Sequence, residues 1–417
     1  MATERNCMMI KPLSHIRVLD MSRILAGPWA AQTLADLGAE VIKIERPGTG
    51  DDTRTWGPPF IKDKEGNETK ESAYFLSTNR GKKSIELDIS KPEGQEILRD
   101  LAAKSDILIE NYKVGGLAAY GLSYEDLKKI NSGLIYCSIT GFGQTGPFSA
   151  RAGYDFLIQA MGGLMSVTGE PDGSPGAGPQ KVGVALTDIL TGLYTNIAAL
   201  SALARREKTG EGCHIDMALL DVTTATMANQ ALNFLVTGEA PTRMGNAHPN
   251  IVPYEAFEAS DMYLIVAVGN DGQFTRYVKA AGHAELANDE RFSSNAARVA
   301  NRDVLIPIIK EFMKKKTGQE WIDALEEVGV PCGPLNNMEQ VFDHPQVQAR
   351  GMKIDLEHPM AGTVPQVASP IKFTGEHIDY QGAPPTLGQH SLYVLRDVLG
   401  LTEEKIAELQ KNEIIGK

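Results

Sequence analysis

The sequence predicts an α/β protein: a large domain with a doubly wound parallel sheet, and a smaller α+β domain. Through the first half of the 417 residues, short apolar runs alternate with amphipathic stretches, as parallel strands alternate with crossover helices. From Tyr254 onward, two strand-like runs are followed by clustered helical stretches. We expect the large domain over 10–225, the small domain over 240–340, and a return of 350–417 to the large domain.

The first βαβ unit lies near the start of the chain. The apolar run 16–21 (IRVLDM) predicts a strand, and Glu40–Glu45 (EVIKIE) predicts its parallel neighbour. Between them, the amphipathic stretch 29–37 predicts a helix. Pro28 suits its first turn, where a missing N–H costs nothing, and Gly38 suits its end.

Further elements follow in the same alternation. Apolar runs predict strands over 84–89, 106–111, 134–140 and 213–219. Helical patterns predict helices over 92–104, from Ser123 onward, and over 185–206 and 221–236. Residues 141–183 are rich in glycine and proline, which predicts a long functional loop. Downstream, we expect strands near 254–258, 262–268, 352–356 and 371–373, and helices over 271–281, 302–316, 318–328, 389–399 and 402–411.

Composition excludes several classes of partner. The formal net charge of -12 disfavours nucleic acid and anionic membrane surfaces as partners. The four cysteines, Cys7, Cys137, Cys213 and Cys332, are widely spaced, so neither a disulfide framework nor a zinc site is expected. We find no signal-peptide core and no apolar run of membrane length, and therefore expect a cytoplasmic protein.

Common catalytic motifs are missing from the sequence. The stretch after the first strand reads Leu25-Ala26-Gly27-Pro28 rather than GxGxxG, which argues against a nicotinamide site. The chain has no HExxH, GxSxG or P-loop pattern and no Cys/His nucleophile arrangement. Metalloprotease, serine hydrolase and NTPase chemistry therefore lack support.

Asp188 is the residue that we single out as a candidate nucleophile. It is the only acidic residue between Asp172 and Glu207, and it begins a long predicted helix. One interpretation is structural, because carboxylates stabilise helix N-termini. The other is chemical: the helix end would keep the carboxylate ionised, and a glycine-rich loop would let backbone amides approach a reacting carbonyl.

Basic residues also follow strand-like runs. Arg46 comes after the second strand and is well placed for a phosphorylated ligand. Arg80, Lys82 and Lys83 precede the third, where a solvated charged turn is the simpler interpretation.

Several ordered segments resemble the class III CoA-transferase family, which includes formyl-CoA transferase, carnitine CoA-transferase and α-methylacyl-CoA racemase. They include LDMSRILAGPWAAQTLADLGAEVIKIERPGTGDDTR (19–54), NRGKKSIELD (79–88), ILIENYKVGGLAAYGL (107–122), AGYDFLIQAMGGLMSVTG (152–169) and VALTDILTGLYTNIAALSALARREKTGEG (184–212). Segments 246–257 and 330–352 extend the resemblance over nearly the whole chain.

The resemblance implies a Rossmann-like large domain, built from both chain ends, and an interlocked homodimer. It also implies that Asp188 is the nucleophile, that acyl-CoA and a small carboxylic acid are the substrates, and that no metal or permanently bound cofactor takes part. By the same matching, CoA would contact Leu25, Ala26, Arg46, Leu87, Asp88, Ile89, Ser90, Asn111, Tyr112, Lys113, Tyr154 and Asp155.

Two departures from the family pattern bear on function. Ala119 stands where formyl-CoA transferase has an arginine, which leaves Lys113 as the nearby cation for the CoA phosphates. The triplet Gly153-Tyr154-Asp155 lacks the histidine of the racemase branch, and a tyrosine of pKa about 10 is a poor base at neutral pH.

We therefore favour CoA transfer, with succinyl-CoA as a candidate donor, and expect an aspartyl anhydride and an aspartyl-CoA thioester as intermediates. Backbone amides of Gly162 and Gly163 would stabilise the oxyanions. An α-methylacyl-CoA racemase or isomerase and a non-catalytic acyl-CoA-binding protein remain the alternatives.

Overall fold

Residues 8–416 are described in a computed structural model, in which backbone contacts divide the chain into two compact units. The first unit combines Met1–Gly163, Val182–Ala231 and Gln348–Lys417, and the second combines Leu164–Lys181 and Leu232–Val347. Segment Leu164–Lys181 falls inside the range 10–225 expected for the large domain, but it belongs to the second unit. Cys7 lies outside the described residues.

The strands of the described chain are β1 (Met8–Ile10), β2 (Arg17–Asp20), β3 (Glu40–Glu45), β4 (Phe60–Lys62), β5 (Glu68–Ser72), β6 (Lys82–Glu86), β7 (Ile107–Glu110), β8 (Ile135–Thr140), β9 (Cys213–Ala218), β10 (Tyr254–Glu258), β11 (Tyr263–Ala267), β12 (Cys332–Pro334), β13 (Lys353–His358), β14 (Gly362–Val367) and β15 (Glu376–Ile378).

Its α-helices are α1 (Ala26–Asp36), α2 (Ala73–Leu76), α3 (Pro92–Ala103), α4 (Tyr124–Leu127), α5 (Asp155–Met161), α6 (Leu164–Val167), α7 (Leu186–Thr209), α8 (Leu219–Thr226), α9 (Ala228–Thr237), α10 (Asp271–Ala280), α11 (Asn295–Ala300), α12 (Arg302–Met313), α13 (Gly318–Glu327), α14 (Met338–Asp343), α15 (Pro345–Ala349) and α16 (Glu403–Lys411). Short 3-10 helices cover Asp52–Thr55, Ala118–Tyr120 and Ala284–Asn288, and Tyr393–Val398 is a π-helix.

A six-stranded sheet forms the centre of the first unit, in the order β6-β3-β2-β7-β8-β9. Each strand runs parallel to its neighbours. From β2 the chain proceeds outward to β3 and β6, and then returns to the other side of β2 for β7, β8 and β9. The α/β class with a parallel sheet is therefore confirmed. Because the strand order reverses between β2 and β7, a ligand site is expected beyond the carboxyl ends of these two strands.

Apolar side chains cover both faces of this sheet. On one face, Leu19 and Leu108 pack with α3 and with Leu395 near the C-terminus. On the other face, Val18 and Ile107 pack with α1 and α7. Successive strand residues point to opposite faces, so β2 and β7 contribute apolar residues to both clusters.

Helix α7 packs closely on α1. A Cβ added at Gly192 would lie 2.6 Å from the carbonyl oxygen of Ala26, so the backbones meet at this glycine. By length and mean hydropathy, α7 is long and apolar enough to cross a membrane, contrary to the sequence-based expectation. Half of the most apolar stretch of α7 is buried within the chain, as is also found for core helices of soluble proteins.

The second unit contains an antiparallel three-stranded sheet, in the order β10-β11-β12. Helices α10, α12 and α13 contribute Phe274, Phe312 and Trp321 to a core with the apolar residues of these strands. The indole N–H of Trp321 donates to the backbone oxygen of Met313 at 2.7 Å, so this buried polar group is satisfied.

A few predicted elements differ from those observed. The strand expected over 84–89 is β6, which begins at Lys82 and ends at Glu86. The helix expected over 221–236 is divided into α8 and α9, because Ala228, the first residue of α9, adopts a left-handed φ of 44°. Residues 371–373 form no strand.

Candidate active site

Asp188 lies in the first turn of α7, and this helix end is capped by a residue distant in sequence. Ala185, at the N-cap position, has no capping side chain. Instead, Oδ2 of Asp155 accepts hydrogen bonds from the backbone N–H groups of Thr187 at 2.9 Å and Asp188 at 3.4 Å. Its Oδ1 accepts one from Gln159 Nε2 at 2.7 Å. Asp155 therefore holds the backbone that carries Asp188.

The Asp188 carboxyl group is partly buried and has a raised pKa. Burial and, second, the charge of Asp155 raise the pKa of Asp188 to about 7. Within residues 8–416, no group donates a hydrogen bond to this carboxyl. We expected the helix end to keep the Asp188 carboxylate ionised; burial opposes this by raising the pKa of the group. A poorly hydrated carboxylate with a pKa near neutrality is suited to nucleophilic attack.

A cavity of about 430 Å³ in the first unit contains Asp188. It lies between residues that follow β2 and residues that follow β7, where the strand order reverses. The predicted contact residues that line it together with Asp188 are Leu25, Ala26, Asn111, Tyr112, Lys113 and Tyr154.

A second cavity, of about 1000 Å³, lies at the same edge of the sheet. The predicted contact residues that line it are Arg46, Leu87, Asp88, Ile89 and Ser90. Tyr112 and Tyr120 line both cavities, so the two adjoin. Adjoining cavities suit a ligand with a bulky nucleotide at one end and a long arm that reaches a reactive group. Asp155 lines neither of these two cavities.

Backbone donors are available at the wall of the Asp188 cavity. Leu25 and Ala26, at the start of α1, are 7% and 4% exposed. Within the described residues their backbone N–H groups have no acceptor, because a helix leaves its first N–H groups without partners. Donors from residues that line the same cavity as a nucleophilic carboxyl can stabilise an oxyanion.

The glycines that we expected to supply these donors are placed differently. The N–H of Gly162 donates to the backbone oxygen of Ile158 at 2.7 Å, in the last turn of α5. Neither Gly162 nor Gly163 lines the Asp188 cavity. Their assignment as oxyanion donors is wrong, because the amide of Gly162 is already used by its own helix.

The basic run at 80–83 is neither a solvated turn nor part of the two cavities. Arg80 makes a bidentate pair with Asp36, with N···O distances of 2.7 and 2.6 Å. Lys82 Nζ lies 2.8 Å from Oδ2 of Asp20, and both side chains are fully buried. These cations therefore belong to the internal ion pairs of the first unit.

Among the residues of the Asp188 cavity that sequence reasoning missed are Arg23, Ile24 and Arg151. Arg23 and Ile24 line it, and their position directly after the first strand was an available signal. Arg151 also lines it, with its guanidinium carbon 4.6 Å from the centroid of the Phe148 ring. No pattern in the sequence marks Arg151.

Comparisons with known proteins, by family model and by sequence, agree on one family. A family model described as CoA-transferase family III matches residues 13–391. A relative from Agrobacterium fabrum, named succinate–glutarate CoA-transferase, is 50% identical over 387 residues, which cover 93% of this chain and 96% of the relative. A human relative, named succinyl-CoA:glutarate CoA-transferase, is 44% identical over 96% of this chain and 89% of its own.

A solved structure also matches. The crystal structure of a CAIB/BAIF family protein from Brucella suis superposes with a TM-score of 0.81 at 52% sequence identity. The match covers 94% of this chain and 100% of that one.

Proposed function

Because the chain belongs to CoA-transferase family III, we propose that it moves CoA from succinyl-CoA to a second dicarboxylic acid through intermediates bound to Asp188. One observation carries the mechanism: Asp188 lines a cavity together with Leu25 and Ala26, whose backbone N–H groups have no acceptor among residues 8–416. The adjoining cavity, lined by Arg46 and 87–90, would take the nucleotide of CoA. We assign Asp155 to holding the α7 N-terminus rather than to CoA contact.

The first half of the reaction transfers CoA to the enzyme. The Asp188 carboxylate attacks the thioester carbonyl of the donor, the C–S bond breaks, and CoA leaves as a thiolate. The product is a mixed anhydride between Asp188 and the donor acid. The thiolate then attacks the Asp188 carbonyl, which releases the donor carboxylate and leaves an aspartyl-CoA thioester. The Leu25 and Ala26 N–H groups stabilise the negative oxygen at each attack.

The second half repeats these steps with the acceptor. Its carboxylate attacks the aspartyl-CoA carbonyl and displaces the CoA thiolate. The product is a second anhydride, between Asp188 and the acceptor acid. The thiolate attacks the acceptor carbonyl of this anhydride, which yields acceptor-CoA and restores the Asp188 carboxylate. No proton is consumed overall, because one carboxylate is exchanged for another. The anhydrides survive only where water is kept from them, as the walls of the Asp188 cavity would do in part.

The relatives support a dicarboxylic donor and acceptor. Those from Agrobacterium fabrum and human are named for succinate or succinyl-CoA and for glutarate. A second carboxylate brings a negative charge that a cation must offset. Arg23, Lys113 and Arg151 line the Asp188 cavity and can supply it.

The test is direct transfer in solution. Purified protein is incubated with succinyl-CoA and glutarate, and the CoA esters are separated by chromatography over time. We expect glutaryl-CoA and free succinate to appear in equal amounts. Asp188→Asn, which keeps the size of the side chain, should abolish transfer. Hydrolysis without acyl exchange, or full activity of Asp188→Asn, would overturn the proposal.

The alternatives give different products. A racemase or isomerase would exchange the α-proton of an acyl-CoA with deuterium from solvent and would need no acceptor acid. A non-catalytic binding protein would bind acyl-CoA without turnover. Mass spectrometry of the recovered CoA esters, with and without glutarate, distinguishes all three.

We also propose that the first unit is Rossmann-like and that two copies form a dimer, interlocked as the family resemblance implies. Counted within the sheet, the strand order is 3-2-1-4-5-6, the order of dinucleotide-binding folds. Helices α5 and α7 leave apolar side chains exposed, which favours an interface. Among them are Phe156 at 58%, Leu157 at 40%, Met161 at 40%, Leu193 at 40% and Ile197 at 60%.

Sedimentation of the native protein tests the dimer. We expect twice the mass of one chain, and Ile197→Glu should shift the equilibrium toward monomer. A wild-type protein that sediments as a monomer at assay concentrations would contradict this proposal.

A further inference from the structure

The turn between β2 and α1 contains one strained residue. Ile24 has a φ of 75°, a left-handed conformation that β-branched residues rarely adopt. Ile24 lines the Asp188 cavity, and it is followed directly by Leu25 and Ala26, whose N–H groups have no acceptor in the described part of the chain. The conformation of Ile24 therefore sets the course of the backbone that carries these donors. Such strain persists only where surrounding contacts hold it in place.

Asp51 makes the contact that holds Ile24. Its Oδ1 accepts hydrogen bonds from the backbone N–H groups of Ile24 at 3.2 Å and Thr53 at 3.0 Å, and from Thr53 Oγ1 at 2.8 Å. Its Oδ2 lies 2.9 Å from Lys43 Nζ. Burial opposes ionisation, but Lys43 and the Thr53 hydrogen bonds outweigh it and lower the pKa of Asp51 to about 2. Asp51 is therefore a carboxylate throughout the working range of pH.

Side chains from β3 and from the end of β7 also bond the backbone of the two residues before Ile24. Lys43 Nζ also donates to the backbone oxygen of Ser22 at 2.9 Å. Asn111 clamps Arg23 twice: its Oδ1 accepts from Arg23 N at 3.0 Å, and its Nδ2 donates to Arg23 O at 2.7 Å. Each residue of the turn from Ser22 to Ile24 thus has a side chain fixing its backbone.

The charges behind the turn are buried. Asp20, Lys43, Asp51 and Lys82 are each at most 2% exposed. Buried ion pairs are a poor means of stabilising a fold, since apolar side chains of similar size often do as well or better. Three of these four side chains reach the backbone around the cavity wall: Lys43 bonds Ser22 O, Asp51 bonds Ile24 N, and Lys82 Nζ reaches Pro28 O at 3.0 Å. This placement favours a role in positioning.

We propose that Asp51 is a positioning residue for acyl transfer: through Ile24, it holds the Leu25 and Ala26 N–H groups at the wall of the Asp188 cavity before the thioester arrives. This inference rests on the proposed function. It assigns a task in the chemistry to a carboxylate that lines neither the nucleophile's cavity nor the larger one.

The decisive test is a double-mutant cycle between Asp51→Asn and Ile24→Gly. The single amide oxygen left by Asp51→Asn can serve either the Lys43 ammonium or the Ile24 N–H. We expect kcat for succinyl-CoA to fall by about 100-fold with little change in KM, because oxyanion donors act in the transition state. Ile24→Gly adopts a left-handed φ without strain, and its own kcat is the reference for the second arm of the cycle.

In the Ile24→Gly background, Asp51→Asn should lower kcat by about tenfold or less, because glycine adopts this φ without strain and needs no contact to hold it there. Glu71→Gln is the matched control, because it cuts the buried Arg54–Glu71 pair, with an N···O distance of 2.9 Å, without touching the turn. It should leave kcat unchanged in both backgrounds. An equal loss from Asp51→Asn in the two backgrounds, or no loss in either, would overturn the proposal.

Hydrogen exchange of the wild-type protein gives a second test if Asp51→Asn does not fold. The Ile24 amide should be protected to the same degree as the amides of β2, because Asp51 accepts its hydrogen. Exchange at the rate of an exposed loop would overturn the proposal. A wild-type protein without CoA transfer would instead count against the proposed function, since the exchange measurement needs no substrate.

Discussion

Gly192→Ala tests whether the packing of α7 on α1 positions the nucleophile. Gly192 follows Asp188 by one helical turn, and its added Cβ would lie 2.6 Å from Ala26 O, 3.2 Å from Trp29 Cδ1 and 3.3 Å from Ala30 N. Ordinary Cβ contacts begin at 3.4 Å, so the helices must separate locally by 3.4 − 2.6 = 0.8 Å. The contact atoms belong to the α1 backbone and to a tryptophan ring packed against it, so they cannot rotate away.

Two consequences of different size follow from this displacement. Overpacking of a close-packed core costs about 1–3 kcal/mol of the free energy of unfolding. A misplacement of roughly 1 Å between a nucleophile and its substrate costs about 100-fold in rate. We therefore expect Gly192→Ala to fold with reduced stability and to lose about 100-fold in kcat/KM, because Asp188 moves away from Leu25 and Ala26.

The assay combines steady-state CoA transfer with urea unfolding. Gly183→Ala is the control: it lies in the same unit, and its added Cβ would have nothing within 4 Å. The control should match wild type in both measurements. If Gly192→Ala retained wild-type kcat/KM while losing stability, the position of α7 against α1 would not govern the chemistry, and the reasoning would fail.

Other predictions concern charge. Because burial and Asp155 raise the pKa of Asp188 to about 7, kcat/KM should rise tenfold per unit below that pH and level off above it; a flat profile would contradict this. Asp155→Asn removes the negative charge that helps to raise the pKa of Asp188, so the midpoint of the pH profile should move to lower pH. An unmoved midpoint would show that the charge of Asp155 does not act on Asp188. Asp36→Asn leaves the buried Arg80 without its carboxylate and should cost about 3–5 kcal/mol in urea unfolding, with kcat preserved. An unchanged urea midpoint of Asp36→Asn would contradict this prediction of lost stability.

Much of the fold was predictable because short runs rich in apolar residues mark the buried parallel strands. The run at Glu40–Glu45 matches β3 residue for residue, and the helix expected from Ser123 onward is α4, which Ser123 and Asp126 begin with a capping box. These features are encoded by neighbouring residues. The division of 221–236 into two helices was not predictable, since the apolar pattern continues through the break at Ala228.

The site was predictable where its residues follow a strand, and less so where contacts are distant in sequence. Leu25, Arg46 and Asn111 each come shortly after a parallel strand, and all line the two cavities. The hydrogen bond from Thr187 N to Asp155 joins residues 32 positions apart, and the pair of Arg80 with Asp36 joins residues 44 apart. No local pattern contains such information, which is why the basic run was misinterpreted.

The most direct test of the mechanism is covalent trapping at Asp188. The protein is incubated with succinyl-CoA, treated with hydroxylamine or borohydride, digested, and analysed by mass spectrometry. An anhydride or thioester at Asp188 would be converted by hydroxylamine to a hydroxamate, or by borohydride to an alcohol, on the peptide that contains this residue. We predict that modification at Asp188, dependent on succinyl-CoA. An unmodified Asp188 in a protein that still transfers CoA would contradict the central claim.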